Sequence, residues 1–145
     1  DAIVQDENVS FADRFQKTFE QSLKCVIYVS DLFLNDLKEN YPYLFEKLAQ
    51  AQQNRNKNLE TFFQSGVNKG IFNNINAPLF MVQDDAVFRR IMVPSFSINY
   101  DLTLKQALMD YYQMKKYQLF KPEYLDKIDD SVIEKEIVQI LSSIT

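Results

Sequence analysis

The sequence has 145 residues and a net charge of −4, with 16 basic and 20 acidic side chains, no histidine, one cysteine and two glycines. The length fits one domain with a buried core, and the shortage of glycine excludes the glycine-rich phosphate loops of Rossmann and P-loop proteins. The lack of histidine excludes histidine bases and most zinc sites, the single cysteine permits no internal disulfide, and the acidic balance argues against strong binding to nucleic acid.

Long stretches with apolar residues at helical spacing, and few turn signals, predict an all-α helical bundle of five to seven helices in a single domain, 1–145. The first predicted helix begins at Ser10, which is spaced from Asp13 as a capping box, and continues to about residue 40. The β-branched stretch Cys25–Val29 is predicted as a fully buried turn of this helix. Residues 1–8 are interpreted as a polar lead-in or the tail of an earlier element.

Pro42 opens the second predicted helix, since proline fits the first turn of a helix. The polar stretch 50–58 is either an exposed helical segment or a break, and we favour the helix. Gly70 is the predicted stop, because glycine tolerates the left-handed conformation that ends helices. Gly66 and Gly70 stand four residues apart between polar neighbours, which predicts a close approach of chain segments rather than a membrane interface.

Asn76 and Pro78 mark the start of the next predicted helix. Its body, residues 79–93, is apolar nearly all round, which predicts burial on more than one face. Pro94 ends it, and residues 94–101 are predicted as a loop.

Two further capping boxes predict the last two long helices. Thr103 with Gln106 begins one, and Pro122 interrupts the pattern after it. Ser131 with Glu134 begins the other. No internal repeat or low-complexity segment accompanies these elements.

No arrangement of catalytic or metal-binding residues emerges from this pattern. Asp84 and Asp85 point about 100° apart on a helix, Asp129 and Asp130 fit a helix start, and Cys25 has no histidine to activate it. We therefore expect a non-enzymatic domain without cofactor or metal, in a reducing compartment such as the cytoplasm. No apolar run reaches the length of a membrane span.

The abundance of aromatic side chains, 12 phenylalanines and eight tyrosines, has two uses beyond a closed core. One is a cavity between helices for an apolar ligand. The other is a second apolar face that a homodimer would cover.

Two motifs carry a resemblance to a known family. In LFLNDLKENYPYLFEKL, residues 32–48, a helix ends just before a Tyr-Pro pair that opens the next. In LETFFQSGVNKGIFNNINAPLF, residues 59–80, a helix closes with a Gly-x-x-x-Gly-like turn, an apolar pair and an Asn-Ile-Asn that starts another helix. Over about residues 30–82 the chain resembles the C-terminal regulatory domain of tetracycline-repressor-like (TetR-like) transcriptional regulators.

This resemblance implies a homodimer that senses a small apolar or amphipathic effector and transmits its binding to an N-terminal helix-turn-helix DNA-binding domain, which has no counterpart in this sequence. Such an effector must bind two arrangements of the helices with different affinities. The residues expected around its cavity are Phe33, Leu37, Phe62, Phe63, Phe88 and Met92, with Tyr28 or Tyr100 as a polar anchor.

In the family, late helices of two chains pack as a four-helix bundle, and here the expected helices lie around 78–93 and 103–120, with 131–144 as a further candidate. The expected interface residues are Phe88, Ile91, Met92, Leu108, Met109 and Tyr112. All of these side chains also fit a plain core. The alternative hypothesis is a helical scaffold domain that binds a protein helix in a groove and has no small-molecule ligand.

Overall fold

The computed structural model describes residues 8–144, which form eight α-helices and no strand. The helices are α1 (Phe11–Tyr28), α2 (Asp31–Asn40), α3 (Pro42–Asn68), α4 (Ala77–Ile91), α5 (Pro94–Tyr100), α6 (Leu104–Leu119), α7 (Pro122–Leu125) and α8 (Ser131–Ser143). The predicted all-α bundle is confirmed, with more helices than the five to seven expected. The predicted polar lead-in lies, up to residue 7, outside the described residues.

Aromatic side chains from α1, α3, α4 and α6, together with Phe72 and Phe120 next to these helices, form about half of the core. The ring of Phe19 packs edge-on against Phe88 and Tyr112, with centroids 5.1 and 5.3 Å apart. The ring of Phe72 meets Phe120 in the same geometry at 5.1 Å. Such pairs contribute roughly 0.5–1.5 kcal/mol each beyond the burial of their area. Most of the phenylalanine side chains are therefore buried within the single chain.

Three predicted helix starts are confirmed by their capping hydrogen bonds. The hydroxyls of Ser10 and Thr103 and the side-chain carbonyl of Asn76 each accept a hydrogen bond from the backbone N–H three residues later, all at 3.1 Å. These bonds satisfy N–H groups that the first turn of a helix leaves without a partner.

The first predicted helix is divided in two. α1 ends at Tyr28, and the Ser30 hydroxyl starts α2 by accepting a hydrogen bond from the backbone N–H of Phe33 at 3.0 Å. The prediction that Cys25–Val29 is fully buried is wrong, because Cys25 is exposed and Tyr28 is 61% exposed. The apolar spacing continues across the break, since α2 carries its own apolar residues at similar intervals.

The third predicted capping box is also wrong. Asp130, not Ser131, is the residue that precedes α8, and it makes no side-chain cap. Its carboxylate instead accepts hydrogen bonds from α6, as described below. The backbone N–H of Ser131 donates to the Asp129 carboxylate at 2.9 Å.

The segment 94–101, predicted as a loop, contains α5. Pro94 follows the end of α4 and also begins this short helix, because the fixed φ of proline suits a first helical turn. Pro122 begins α7 in the same way. Each proline therefore both interrupts one helix and starts the next.

The end of α3 confirms Gly70 as a stop, since this residue adopts a positive φ of 74°. The chain then turns back so that the ring of Phe72 packs on Gly66. A side chain at Gly66 would place its Cβ 2.0 Å from Phe72 Cδ2. Gly66 therefore permits the close approach that its spacing predicted, with an aromatic ring rather than a helix as the neighbour.

The linker between α3 and α4 is hydrogen-bonded to the chain just after α6. The backbone N–H of Asn73 donates to the Leu119 carbonyl at 2.7 Å, and that of Lys121 donates to the Ile71 carbonyl at 3.0 Å. This single antiparallel bridge, centred on Phe72 and Phe120, connects the start of α4 to the end of α6.

α2 and the first half of α3 lie outside the core. None of the α2 side chains is buried, and the buried residues of α3 all fall within 59–66. The polar stretch 50–58 is helical, as predicted, and mostly exposed. No helix within residues 8–144 has both the length and the apolar run that crossing a bilayer requires.

Candidate functional site

An apolar groove lies between α4 and α6, with α5 at one end. It has a volume of about 500 Å³ and opens to solvent. Its apolar walls come from Val87, Ile91, Phe96, Leu102 and Met114. An enclosed pocket buries most of a small ligand, whereas an open apolar groove of this size suits a helix or a second protein surface.

Two opposite charges stand in this groove, Arg90 on α4 and Asp110 on α6. Both side chains are exposed, and neither forms an ion pair with another residue in 8–144. The Arg90 guanidinium lies 5.8 Å from the centre of the Phe96 ring. The groove therefore presents one cation and one anion beside its apolar floor.

A second, smaller cavity lies among α1, α3 and α4, on a different face of α4. Its volume is about 80 Å³. Polar groups form much of its wall, including Thr18, Ser22, Gln52, Arg55 and Asn56. The Arg55 guanidinium donates a hydrogen bond to the Ser22 hydroxyl at 3.1 Å, and burial lowers the pKa of Arg55.

A buried polar cluster joins this cavity to the groove. The Asp84 side chain lines the cavity, and its Oδ1 accepts a hydrogen bond from the Tyr111 hydroxyl at 2.8 Å and lies 3.3 Å from Lys115 Nζ. The Lys115 ammonium also donates to Gln83 Oε1 at 3.2 Å and to the Phe80 carbonyl. Asp84 therefore lines the cavity and is one hydrogen bond from the groove, because its partner Tyr111 lines the groove.

Burial opposes the charged forms of this cluster. It raises the pKa of Asp84 above its usual range and lowers the pKa of Lys115 to about 8, although each charge partly offsets the effect on the other. Burial and the neighbouring carboxylate also raise the pKa of Tyr111. The side chains of Asp84 and Lys115 are only 12% and 0% exposed, so removing one partner would leave the other charge largely desolvated.

A second polar cluster connects α6 to the start of α8. The Asp130 carboxylate accepts hydrogen bonds from Tyr112 and Lys116, both at 2.7 Å, and from Gln113 at 2.9 Å. Burial alone would raise the pKa of Asp130, but these three donors lower it. Gln16 on α1 donates to the Tyr112 hydroxyl at 3.0 Å. We interpret this cluster as a structural connection, as the sequence suggested for the acids at this helix start.

The residues expected around an effector do not surround one cavity. The core contains Phe62, Phe63 and Phe88. The surface exposes Tyr28, Phe33 and Tyr100, and the remaining two, Leu37 and Met92, are half-buried. Among the described side chains that line the polar cavity, Phe63 is the one member of this set.

The expected dimer residues are also divided. Phe88, Leu108 and Tyr112 are fully buried within the single chain, so a second chain cannot reach them in this conformation. Ile91 borders the groove although it is buried, and Met92 and Met109 are half-buried. Three side chains that line the groove were missed, namely the half-buried Val87 and Phe96 and the exposed Met114.

Helical spacing alone does not say which apolar stripe points inward. Asp84 and Lys115 did carry a signal, because a charged residue stands in each otherwise apolar helical stripe. Pairing them required the crossing of α4 and α6. Within residues 8–144, no three acidic or cysteine side chains gather as a metal site would need.

No protein-family model matches the chain, and no curated protein or solved structure matches it. The groove, the cavity and the cluster between them are therefore the features from which a function can be argued.

Proposed function

We propose that this chain is the regulatory domain of a TetR-like transcriptional regulator, which forms a homodimer through the groove between α4 and α6 and senses a small molecule in the cavity among α1, α3 and α4. The observation that carries the proposal is the apolar groove, because it lies between the two helices that the resemblance assigns to dimerisation. DNA binding would belong to a helix-turn-helix domain encoded before residue 1.

The groove supports a second copy of the chain as its occupant. A two-fold interface brings the same surface of each chain together, so that residues on one wall meet those on the opposite wall of the partner. Arg90 of one copy would then face Asp110 of the other, twice per dimer. The apolar floor around Met114, which is 58% exposed in the single chain, would be covered by the partner.

Light scattering or sedimentation equilibrium of the purified chain tests this proposal. We expect a mass of twice 17.1 kDa at tens of micromolar. The substitution Met114→Glu places a charge on the groove floor and should raise the dimer dissociation constant at least about tenfold, which corresponds to about 1.4 kcal/mol.

The matched control is Tyr43→Glu, which adds the same charge on an exposed turn of α3 and should leave the dimer intact. A wild-type chain that stays monomeric, or equal weakening by both substitutions, would contradict the proposed interface.

The open form of the groove also suits the alternative function, a scaffold domain that holds an amphipathic helix of another protein. The oligomeric state of the purified chain distinguishes the two functions. A scaffold domain stays monomeric and leaves the groove open, whereas the proposed regulator covers it with its own copy.

A further inference from the structure

The size of the cavity among α1, α3 and α4 limits what it can bind. The cavity has a volume of about 80 Å³, which leaves room for only a few water molecules. Pockets for drug-sized ligands have about 300–1,000 Å³. The cavity therefore fits a guest of only a few non-hydrogen atoms, far smaller than the apolar effector that the family resemblance implies.

The wall of the cavity selects for hydrogen-bonding guests. The carboxylate of Asp84 accepts hydrogen bonds, while Gln52 and Asn56 can both donate and accept. An apolar guest would displace water from these groups without replacing its hydrogen bonds, which costs roughly 1–3 kcal/mol per group. A polar guest would replace those bonds.

We propose that this cavity is the effector site, that its ligand is a small polar molecule of a few non-hydrogen atoms with a hydrogen-bond donor directed at Asp84, and that Asp84 transmits binding to the groove. The inference rests on the proposed function and names the ligand class and the route of regulation.

The route follows from the contacts of one carboxylate. A donor on the guest competes with the Tyr111 hydroxyl and the Lys115 ammonium for Asp84, which now holds them at 2.8 and 3.3 Å. Tyr111 is itself part of the groove wall, and Lys115 is hydrogen-bonded to Gln83 on that wall. A changed position of these side chains alters the surface that the second copy meets, so that the two binding events become coupled.

The chain offers a natural attachment point for testing the ligand class. Cys25 is exposed, lines the cavity and is the sole cysteine of the sequence. Two probes, the mixed disulfides of N-acetylcysteamine and of hexanethiol, place groups of equal heavy-atom number on its sulfur, one with an amide and one purely apolar. Exchange against increasing 2-mercaptoethanol, followed by intact mass, measures how strongly each group is retained.

We expect the amide probe to need about tenfold more reductant for half-release than the hexyl probe. Asp84→Asn and Asn56→Leu should each reduce this difference, and the second variant keeps the test valid should the first fail to fold. Gln53→Leu is the matched control, since this exposed neighbour on α3 is outside the cavity wall. Equal retention of the two probes, or stronger retention of the hexyl probe, would overturn the ligand class.

A second measurement tests the route to the groove. Protein carrying the amide probe on Cys25 should show a dimer dissociation constant changed by about fivefold or more, and Tyr111→Phe, which removes the hydroxyl that contacts Asp84, should abolish that change. An unchanged constant in the labelled wild-type chain would overturn the link. If the chain proves monomeric, the proposed function fails, while the retention comparison still decides what the cavity binds.

Discussion

Gly66 shows how a single residue directs the chain between α3 and α4. Its carbonyl accepts hydrogen bonds from the backbone N–H groups of Ile71 and Phe72, at 2.9 and 3.1 Å, and its missing side chain leaves room for the Phe72 ring. The ring in turn contacts Phe62 and Phe120 at centroid distances of 5.4 and 5.1 Å. One absent methyl group therefore permits the core packing of this end of the molecule.

Gly66→Ala should lower the free energy of unfolding by about 1–2 kcal/mol, because severe overpacking against Phe72, which costs up to about 3 kcal/mol, outweighs the roughly 1 kcal/mol that alanine gains in a helix. Urea denaturation measures the change. Gly70→Ala is the comparison. The new Cβ would meet no atom within 4 Å, but the alanine would have to adopt a φ of 74°. We expect a smaller loss there, and a larger one would contradict the packing explanation.

Lys115 gives the molecule a pH dependence of predictable sign. Burial lowers its folded-state pKa to about 8 from 10.5 in the unfolded chain, so between these values the unfolded state binds more protons than the folded state. Stability attributable to this residue must therefore rise with pH in that window. Below pH 8 the lysine is charged in both states, and its contribution no longer changes.

The free energy of unfolding of the wild type minus that of Lys115→Met should consequently increase from pH 8 to pH 10. Chemical denaturation of both proteins at half-unit steps measures this difference, and the comparison cancels contributions that they share. A difference that stays constant or shrinks across the window would contradict the assigned direction of the pKa shift.

At the scale of elements, α2 and α6 illustrate two kinds of helix. Both begin with a hydroxyl cap, Ser30 for α2 and Thr103 for α6, with hydrogen bonds of 3.0 and 3.1 Å. α2 has no buried side chain, whereas α6 buries seven. Because packing rather than propensity stabilises most helices in proteins, α2 should open locally while α6 unfolds only with the whole bundle.

The same substitution should therefore have different effects in the two caps. Thr103→Ala should lower the free energy of global unfolding by about 1 kcal/mol. Ser30→Ala should leave the global value nearly unchanged and accelerate amide exchange within residues 31–40. Urea denaturation and hydrogen exchange by mass spectrometry separate the two outcomes, and a global loss in Ser30→Ala would show that α2 contributes to the core.

The helices were predictable wherever a local signal specified them. Caps at Ser10, Asn76 and Thr103 depend on neighbours within the first turn, so the sequence contains them. The cap expected at Ser131 failed because Asp130 is used in contacts with α6, which are distant in sequence. The break before α2 was missed because its apolar spacing continues that of α1.

The site was less predictable than the helices. Phe88 and Met114 both lie on helices that the sequence assigned to an interface, yet one is fully buried and the other is exposed. The burial of each side chain depends on how α4 and α6 cross, which no local pattern encodes. The same crossing brings Asp84 to Lys115, and the sequence alone gave no reason to pair them.

At the scale of the whole molecule, the exposed groove and its two charges predict how copies would recognise each other. Arg90→Asp should weaken the proposed dimer about fivefold or more, because each of two symmetry-related pairs in it would contribute roughly 0.5–1 kcal/mol. Asp110→Arg should do the same, and the double exchange should restore binding. Sedimentation at low and moderate salt measures all four proteins. Failure of the double variant to recover would show that these residues do not face each other.

The bridge between Phe72 and Phe120 has a mechanical consequence for that groove. It holds the chain just before α4 beside the chain just after α6, and farther from the bridge Tyr111 of α6 contacts Asp84 and Phe88 of α4. A change in the spacing of the two helices near Phe96 would therefore have to move Tyr111 while the bridged end stays in place. Cross-links near α5, between the end of α4 and the start of α6, would report such a change in the width of the groove.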